Sequence, residues 1–151
     1  MIILGLTSPI SWNSAAAIVK DGKLLAAVEE ERFNGIKHSP RILPVRSIEF
    51  CLDFAKAKPH EVDVLALGYR GPLGYYGLSL LENLKKKDFN RALREGGTFA
   101  EYLIGLVRLK DWLMEKGFRV DGEKKLKMKF YPHHLAHAAS AYRCSGFSKA
   151  N

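Results

Sequence analysis

The sequence predicts an α/β protein whose mixed sheet opens with a three-stranded antiparallel meander. Three observations carry that prediction. A short apolar run at 2–6 closes on the turn residues Thr7-Ser8-Pro9 and reads as a buried first strand. A second run, 14–20, is joined to a third, 23–30, by Asp21-Gly22, a dipeptide that accepts the positive φ values of a two-residue type I′ hairpin turn. Further on, the continuous apolar run 62–68 (VDVLALG) follows a helical pattern and reads as a buried strand parallel to the first.

The remaining elements follow in order. In the third strand Leu25, Ala27 and Glu29 are expected on the face opposite Leu24, Ala26 and Val28. Residues 29–40 read as a polar loop. Pro44 then starts a helix at its first turn, where a missing N–H does no harm. Val45, Ile48, Cys51, Leu52 and Ala55 recur at helical spacing, giving an apolar stripe to about residue 58, and Pro59 stops it. The glycine- and tyrosine-rich stretch 71–77 reads as a surface loop. Two helices are expected next, over 78–94 and 98–116. In the second, Phe99, Leu103, Leu106, Val107, Leu109, Leu113 and Met114 supply the apolar face, and Gly117 is placed to cap its end. A last strand, 126–131, precedes Pro132, which opens a final helix running to about residue 143.

Composition narrows the function classes. With 47% hydrophobic and 26% charged residues the chain has the apolar content of a soluble folded protein, and its length fits a single domain, 1–151. No apolar run approaches the ~20 residues that span a bilayer, and MIILGLTSPISWNS has neither a basic start nor a cleavage site. The expectation is a cytoplasmic protein without membrane contact. The net charge of +8 raises nucleic-acid binding. The excess is spread over Lys85, Lys86, Lys87, Arg91, Arg94, Arg108, Lys110 and the lysines of 124–129, with acids interspersed and no stacking platform. Nucleic acid is therefore the disfavoured partner. Cys51 and Cys144 lack CxxC spacing and read as buried thiols.

Three segments could carry chemistry. If Pro132 sits at the start of the final helix, His133 and His137 lie at i and i+4, about 5–6 Å apart at Cβ, the arrangement by which one helix offers two imidazoles to a metal. His134 is turned about 100° away. The bland alternative is a pair of helix-start histidines making local hydrogen bonds. Two imidazoles are also too few for a complete site, so further ligands must come from elsewhere. The loop carrying Arg32, Lys37 and His38 could hold a phosphate oxygen through charge-assisted hydrogen bonds, or be a solvated connector. The turn 7–14, with Ser11, Asn13 and Ser14, could cradle an anion through its N–H groups and hydroxyls.

Taken together, ILGLT, SAAAIVKDGKLLAAVEEERF, Lys37-His38 and HHLAHAASAY resemble the N-terminal domain of the carbamoyltransferase family, over most of 1–56 and 129–147. The resemblance implies the first part of an actin/Hsp70/sugar-kinase-like (ASKHA) domain, akin to the tRNA threonylcarbamoyl-transfer subunit. It implies an enzyme that moves a carbamoyl group from carbamoyl phosphate, by way of ATP and a carbamoyl-adenylate, to the hydroxyl of a small-molecule acceptor. By residue matching, His133 and His137 become ligands of an iron-type divalent metal, and Lys37 and His38 catalytic groups near the carbamoyl or phosphate group. Ser11, Asn13, Ser14 and Arg32 are then expected at the cofactor. Trp12-Asn13 stand where relatives carry His-Asp, and the resemblance implies that the remaining metal carboxylates would lie downstream of residue 151. The chain by itself is thus expected to be a truncated or split domain, inactive and holding no cofactor until a separate chain or a second copy completes it. A binding or regulatory module completed by a partner chain, and a basic RNA-binding protein, are the rival readings.

Overall fold

Alternation along the first run sets the layers. In the computed structural model β1 (Ile2–Leu6) buries Ile2, Leu4 and Leu6 on one face and leaves Ile3 and Gly5 half-buried on the other. The structure describes residues 1–7, 9–69, 71, 77–120, 122 and 125–149, with the backbone alone at 144. β2 (Ala15–Lys20) pairs antiparallel with β1, Leu4 opposite Ile18, and β3 (Lys23–Glu29) pairs antiparallel with β2. Asp21 (φ 51°) and Gly22 (φ 80°) both take positive φ, as a type I′ turn requires. β4 (Val64–Leu67) runs parallel to β1, and β5 (Lys127–Phe130) parallel to β4. The five strands lie in the order β3-β2-β1-β4-β5, a mixed sheet led by the expected meander.

The third strand departs from simple alternation. Ile18 faces Ala26 while Val19 faces Leu24, so Leu25 is an extra residue, a β-bulge. The bulge resets the period of two: Leu25, Ala26 and Val28 all pack toward the core, whereas Leu24 is exposed. Strict alternation had set Leu25 opposite Ala26 and Val28.

One face of the sheet carries the core. Leu4, Ile18, Leu65 and Leu67 pack with Ile48, Cys51 and Leu52 of α2 (Val45–Phe54) and with Leu109 and Leu113 of α4 (Phe89–Glu115). Burial pushes the Cys51 thiol up to about 11, so it behaves as a small apolar group. The side chain of Cys144, Ser8 and most of the expected 71–77 loop (72–76) lie outside the described residues.

The 29–40 segment is more ordered than a polar loop. It contains a one-turn helix, α1 (Glu31–Asn34), and it buries Glu30. The Glu30 carboxylate accepts hydrogen bonds from the N–H groups of Arg46 (3.1 Å) and Ser47 (2.8 Å) and from Ser47 Oγ (2.7 Å). It therefore satisfies the orphan donors at the start of α2 from sixteen residues upstream, and its negative charge faces the positive end of that helix. Pro44 stands just before the helix rather than in its first turn. α2 also ends at Phe54, short of the expected 58, with Lys56 left-handed (φ 48°) and Pro59 opening a 3-10 turn, Pro59–Glu61.

The two expected helices are divided elsewhere. α3 (Leu78–Lys85) and α4 break at Lys87 (φ 59°) and Asp88, not between 94 and 98. Asp88 Oδ1 accepts from the N–H of Arg91 at 3.0 Å and caps α4. Gly96-Gly97 lack such a cap. Inside a helix they weaken it by about 1 kcal/mol each without ending it. Gly105 has a positive use: a Cβ there would lie 2.7 Å from Pro9 Cβ, so its absence lets the first turn rest on α4. Gly117 (φ 83°) follows the end of α4 as expected. Among the described residues no helix is long and apolar enough to cross a membrane.

Glu30→Gln keeps the shape but weakens three charge-assisted bonds, and is expected to destabilise the fold by about 2 kcal/mol in urea unfolding. A loss below about 0.5 kcal/mol would show that α2 does not depend on this carboxylate.

Candidate functional site

Parallel pairing of β1, β4 and β5 brings their C-terminal ends to one edge of the sheet, the place where open α/β sheets bind ligands. The ends are stitched together. Gly68 N–H donates to Leu6 O (3.1 Å) and Tyr131 N–H to Leu67 O (2.9 Å). Pro132, with extended ψ (133°), then turns the chain into α5 (His133–Ser145), whose first turn is closed by Ala136 N–H to Pro132 O at 3.0 Å.

The helix passes over the sheet face opposite the core, and that face is made of small residues. Gly5, Ala15, Ala17, Ala27, Ala66 and Gly68 form the floor of a cleft of about 720 Å³, with Ala136 and Ala139 on the helix side. A Cβ on Gly68 would meet Ala136 Cβ at 3.7 Å, an ordinary van der Waals contact, so α5 passes the end of β4 with room for one methyl group. Thr7, Ser11, Tyr69 and Tyr131 also line the cleft.

His133 and His137 both line this cleft, and His134 is absent from its lining. The Nε2 atoms of His133 and His137 are 2.9 Å apart, their rings at 85° and 4.3 Å between centroids. That spacing permits an N–H···N hydrogen bond. It equally matches two ligands at 2.0–2.1 Å from one ion subtending an angle of about 90°. Among the described residues no group of three or more His, Cys, Asp or Glu side chains converges, so the pair fits a metal as two of its ligands, not as a whole site.

The other predicted residues fall into two places. Ser11 lines the cleft, its Oγ accepting weakly from the N–H of Asn13 (3.4 Å). Asn13 and Trp12 are exposed outside it. Ser14 is buried behind the turn, where its Oγ donates to Ile42 O (2.6 Å) and its N–H to His38 O (3.0 Å). Arg32 points to solvent beside Glu31 (3.5 Å) and Glu29 (3.8 Å).

Lys37 and His38 are exposed and do not line the cleft. Their loop is nonetheless tied to its rim, through the Ser14–His38 bond and through Arg41 N–H donating to Ser11 O at 2.9 Å. His38, Ser39 and Arg41 all take positive φ (63°, 44° and 59°), a strained run for non-glycine residues. Two contacts hold it. Buried Ser39 donates to Asn34 Oδ1 (3.0 Å), and His38 N–H donates to Glu31 Oε2 (2.5 Å). The His38 bond, and after it Arg32, keep the Glu31 carboxyl below its ordinary range.

Tyr69 was not marked by any motif. It directly follows Gly68 at the end of β4, packs on the ring of His133 (5.9 Å between centroids) and on Tyr102 of α4 (6.3 Å). Tyr102 is fully buried, and burial pushes its phenol up to about 12. An aromatic placed just past a parallel strand was the available signal.

A family model described as the carbamoyltransferase N-terminus matches residues 2–151. The chain belongs to the carbamoyltransferase N-terminal family. Its relatives include nodulation protein NolNO of Sinorhizobium fredii, 34% identical over 97% of this chain and 20% of that protein. The protein sll1178 of Synechocystis sp. is 35% identical over 98% of this chain and 24% of its own length. A 19.2 kDa protein from the syrM 5′ region of Rhizobium etli is 52% identical over 61 residues, 40% of this chain and 35% of the relative. The carbamoyltransferase domain thus spans about a fifth to a quarter of the two relatives it matches along nearly its whole length. Among solved structures, YeaZ from Pseudomonas aeruginosa superposes with a TM-score of 0.51 at 15% identity, over 96% of this chain and 50% of that one. The fold is actin-like, as the sequence resemblance implied.

Because the folded Glu31 carboxyl has a depressed pKa, its contribution is fully present above the ordinary glutamate range and is lost as pH falls from that range through the lower folded value. The protection factor of the His38 amide should therefore drop on acidification below about pH 4.5. In Glu31→Gln it should be low and flat across the same range; an unchanged, pH-dependent protection factor in that variant would contradict the assignment.

Proposed function

We propose that this chain supplies the imidazole-bearing wall of a carbamoyl-transfer site, which the remainder of a longer protein or a separate chain completes. The observation that carries the reading is the convergence of His133 and His137 Nε2, 2.9 Å apart, over a cleft at the ends of parallel strands in a carbamoyltransferase-family domain. A divalent, iron-type metal bound there would supply Lewis-acid polarisation of a carbamoyl or phosphate oxygen.

The chain's own residues bind and orient. The alanine and glycine floor leaves room for a carbamoyl-adenylate to lie against the sheet while keeping water off its buried side. Thr7 and Ser11, which line the cleft, are proposed to hold the phosphate through their hydroxyls and backbone. Lys37 and His38, on a loop pinned to that rim, are proposed to reach the carbamoyl or phosphate oxygens from outside the cleft. In the transfer, the acceptor hydroxyl oxygen attacks the carbamoyl carbon. The carbon–oxygen bond to the adenylate phosphate breaks, and AMP leaves with the electron pair. The hydroxyl proton passes to the departing AMP phosphate oxygen or to water, since Asn13 cannot take it.

The test is carbamoyl transfer from carbamoyl phosphate and ATP by a full-length relative carrying the same two histidines. Replacing the residue matching His133 or His137 by Ala is expected to lower kcat by at least about a hundredfold and to reduce bound metal below half. Wild-type turnover and metal content in both variants would contradict the proposal. For the present chain alone, no turnover is expected.

A further inference from the structure

We infer that Tyr69 is a positioning residue for the two-histidine site, holding the His133 ring so that its Nε2 meets that of His137; the inference rests on the metal-binding reading above. The need for such a group follows from where the histidines stand. Both are solvent-exposed residues on α5, and none of the described side chains of that helix is buried. An imidazole in the first turn of an exposed helix has several accessible rotamers, and only some of them aim Nε2 along the helix toward the next turn.

Tyr69 restricts that choice. Its position is fixed by the strand end: Gly68 is hydrogen-bonded to Leu6 on one side of β4, and Leu67 O accepts from Tyr131 on the other. The Tyr69 ring lies against His133, tilted 54° at 5.9 Å, and also against Tyr102 at 6.3 Å. Tyr102 is fully buried on α4, and α4 is anchored in the core by Leu109 and Leu113. A continuous series of rings thus runs from the helix that packs under the sheet to the first imidazole of the helix above it. The contact is one of ring against ring, so it is the aromatic ring of Tyr69 that restricts His133.

The test uses the untagged chain with Ni2+ as probe ion, followed by calorimetry. His133→Ala and His137→Ala are expected to abolish one-site binding, Tyr69→Leu to raise Kd about fivefold with an unchanged far-ultraviolet spectrum, and Tyr69→Phe, which keeps a ring there, to bind more tightly than Tyr69→Leu. Tight binding in Tyr69→Leu alongside loss in the histidine variants would overturn the role of Tyr69 alone. Unchanged binding in the histidine variants would overturn the chelate, and the inference with it. Should Tyr69→Leu fail to fold, the wild-type chain still decides the matter: nuclear Overhauser contacts between the Tyr69 ring and the His133 imidazole protons are expected, and their absence would overturn the inference.

Discussion

The close approach of α5 to the strand ends is the constraint on which the rest of the site depends. Ala136 passes beside Gly68 at ordinary van der Waals range, and Gly5 and Ala66 keep the same face low across the two central parallel strands. Larger residues at Gly5 or Ala66 would fill the cleft that His133 and His137 line. The sheet therefore does two jobs with opposite demands. Its core face is filled by leucine and isoleucine packed against α2 and α4, while its other face is kept nearly bare. A face of alanine and glycine contributes little apolar burial, so stability must come from the other side.

The first turn is held by a second set of constraints, built around the glutamate-rich segment. Adjacent carboxylates there have separate tasks. Glu30 is buried and caps α2, and Glu31 holds the left-handed backbone of His38. Together they fix the loop carrying Lys37 against the turn that carries Ser11. Strain in this loop is concentrated at three non-glycine residues in four positions, beside the cleft and not in the core.

Much of this was legible in the sequence, for identifiable reasons. Asp21-Gly22 demanded a I′ hairpin, and a continuous apolar VLAL run demanded a strand covered on both sides or near it; both signals are local and both strands are where they were expected. The i, i+4 spacing of His133 and His137 guaranteed a shared helix face once Pro132 began the helix. What periodicity cannot carry is long-range pairing. The bulge at Leu25 depends on how β3 meets β2, the Glu30 cap on a helix sixteen residues later, and the α3–α4 break on Asp88 outcompeting a glycine pair. Whether Lys37 and His38 reach the cleft is likewise a question of loop geometry, and their loop meets its rim through backbone bonds while its side chains stand outside. Tyr69 escaped notice because its partners, Tyr102 and His133, are 33 and 64 residues away in sequence.

The central claim is that two imidazoles one helical turn apart share an ion above the small-residue floor. Anomalous diffraction from crystals of this chain soaked in Co2+ tests it most directly. A single peak about 2.0–2.3 Å from Nε2 of both His133 and His137, on the cleft side of α5, is the result this account predicts. Rings turned away from the sheet with no shared peak, or a peak held by one imidazole alone, would contradict it.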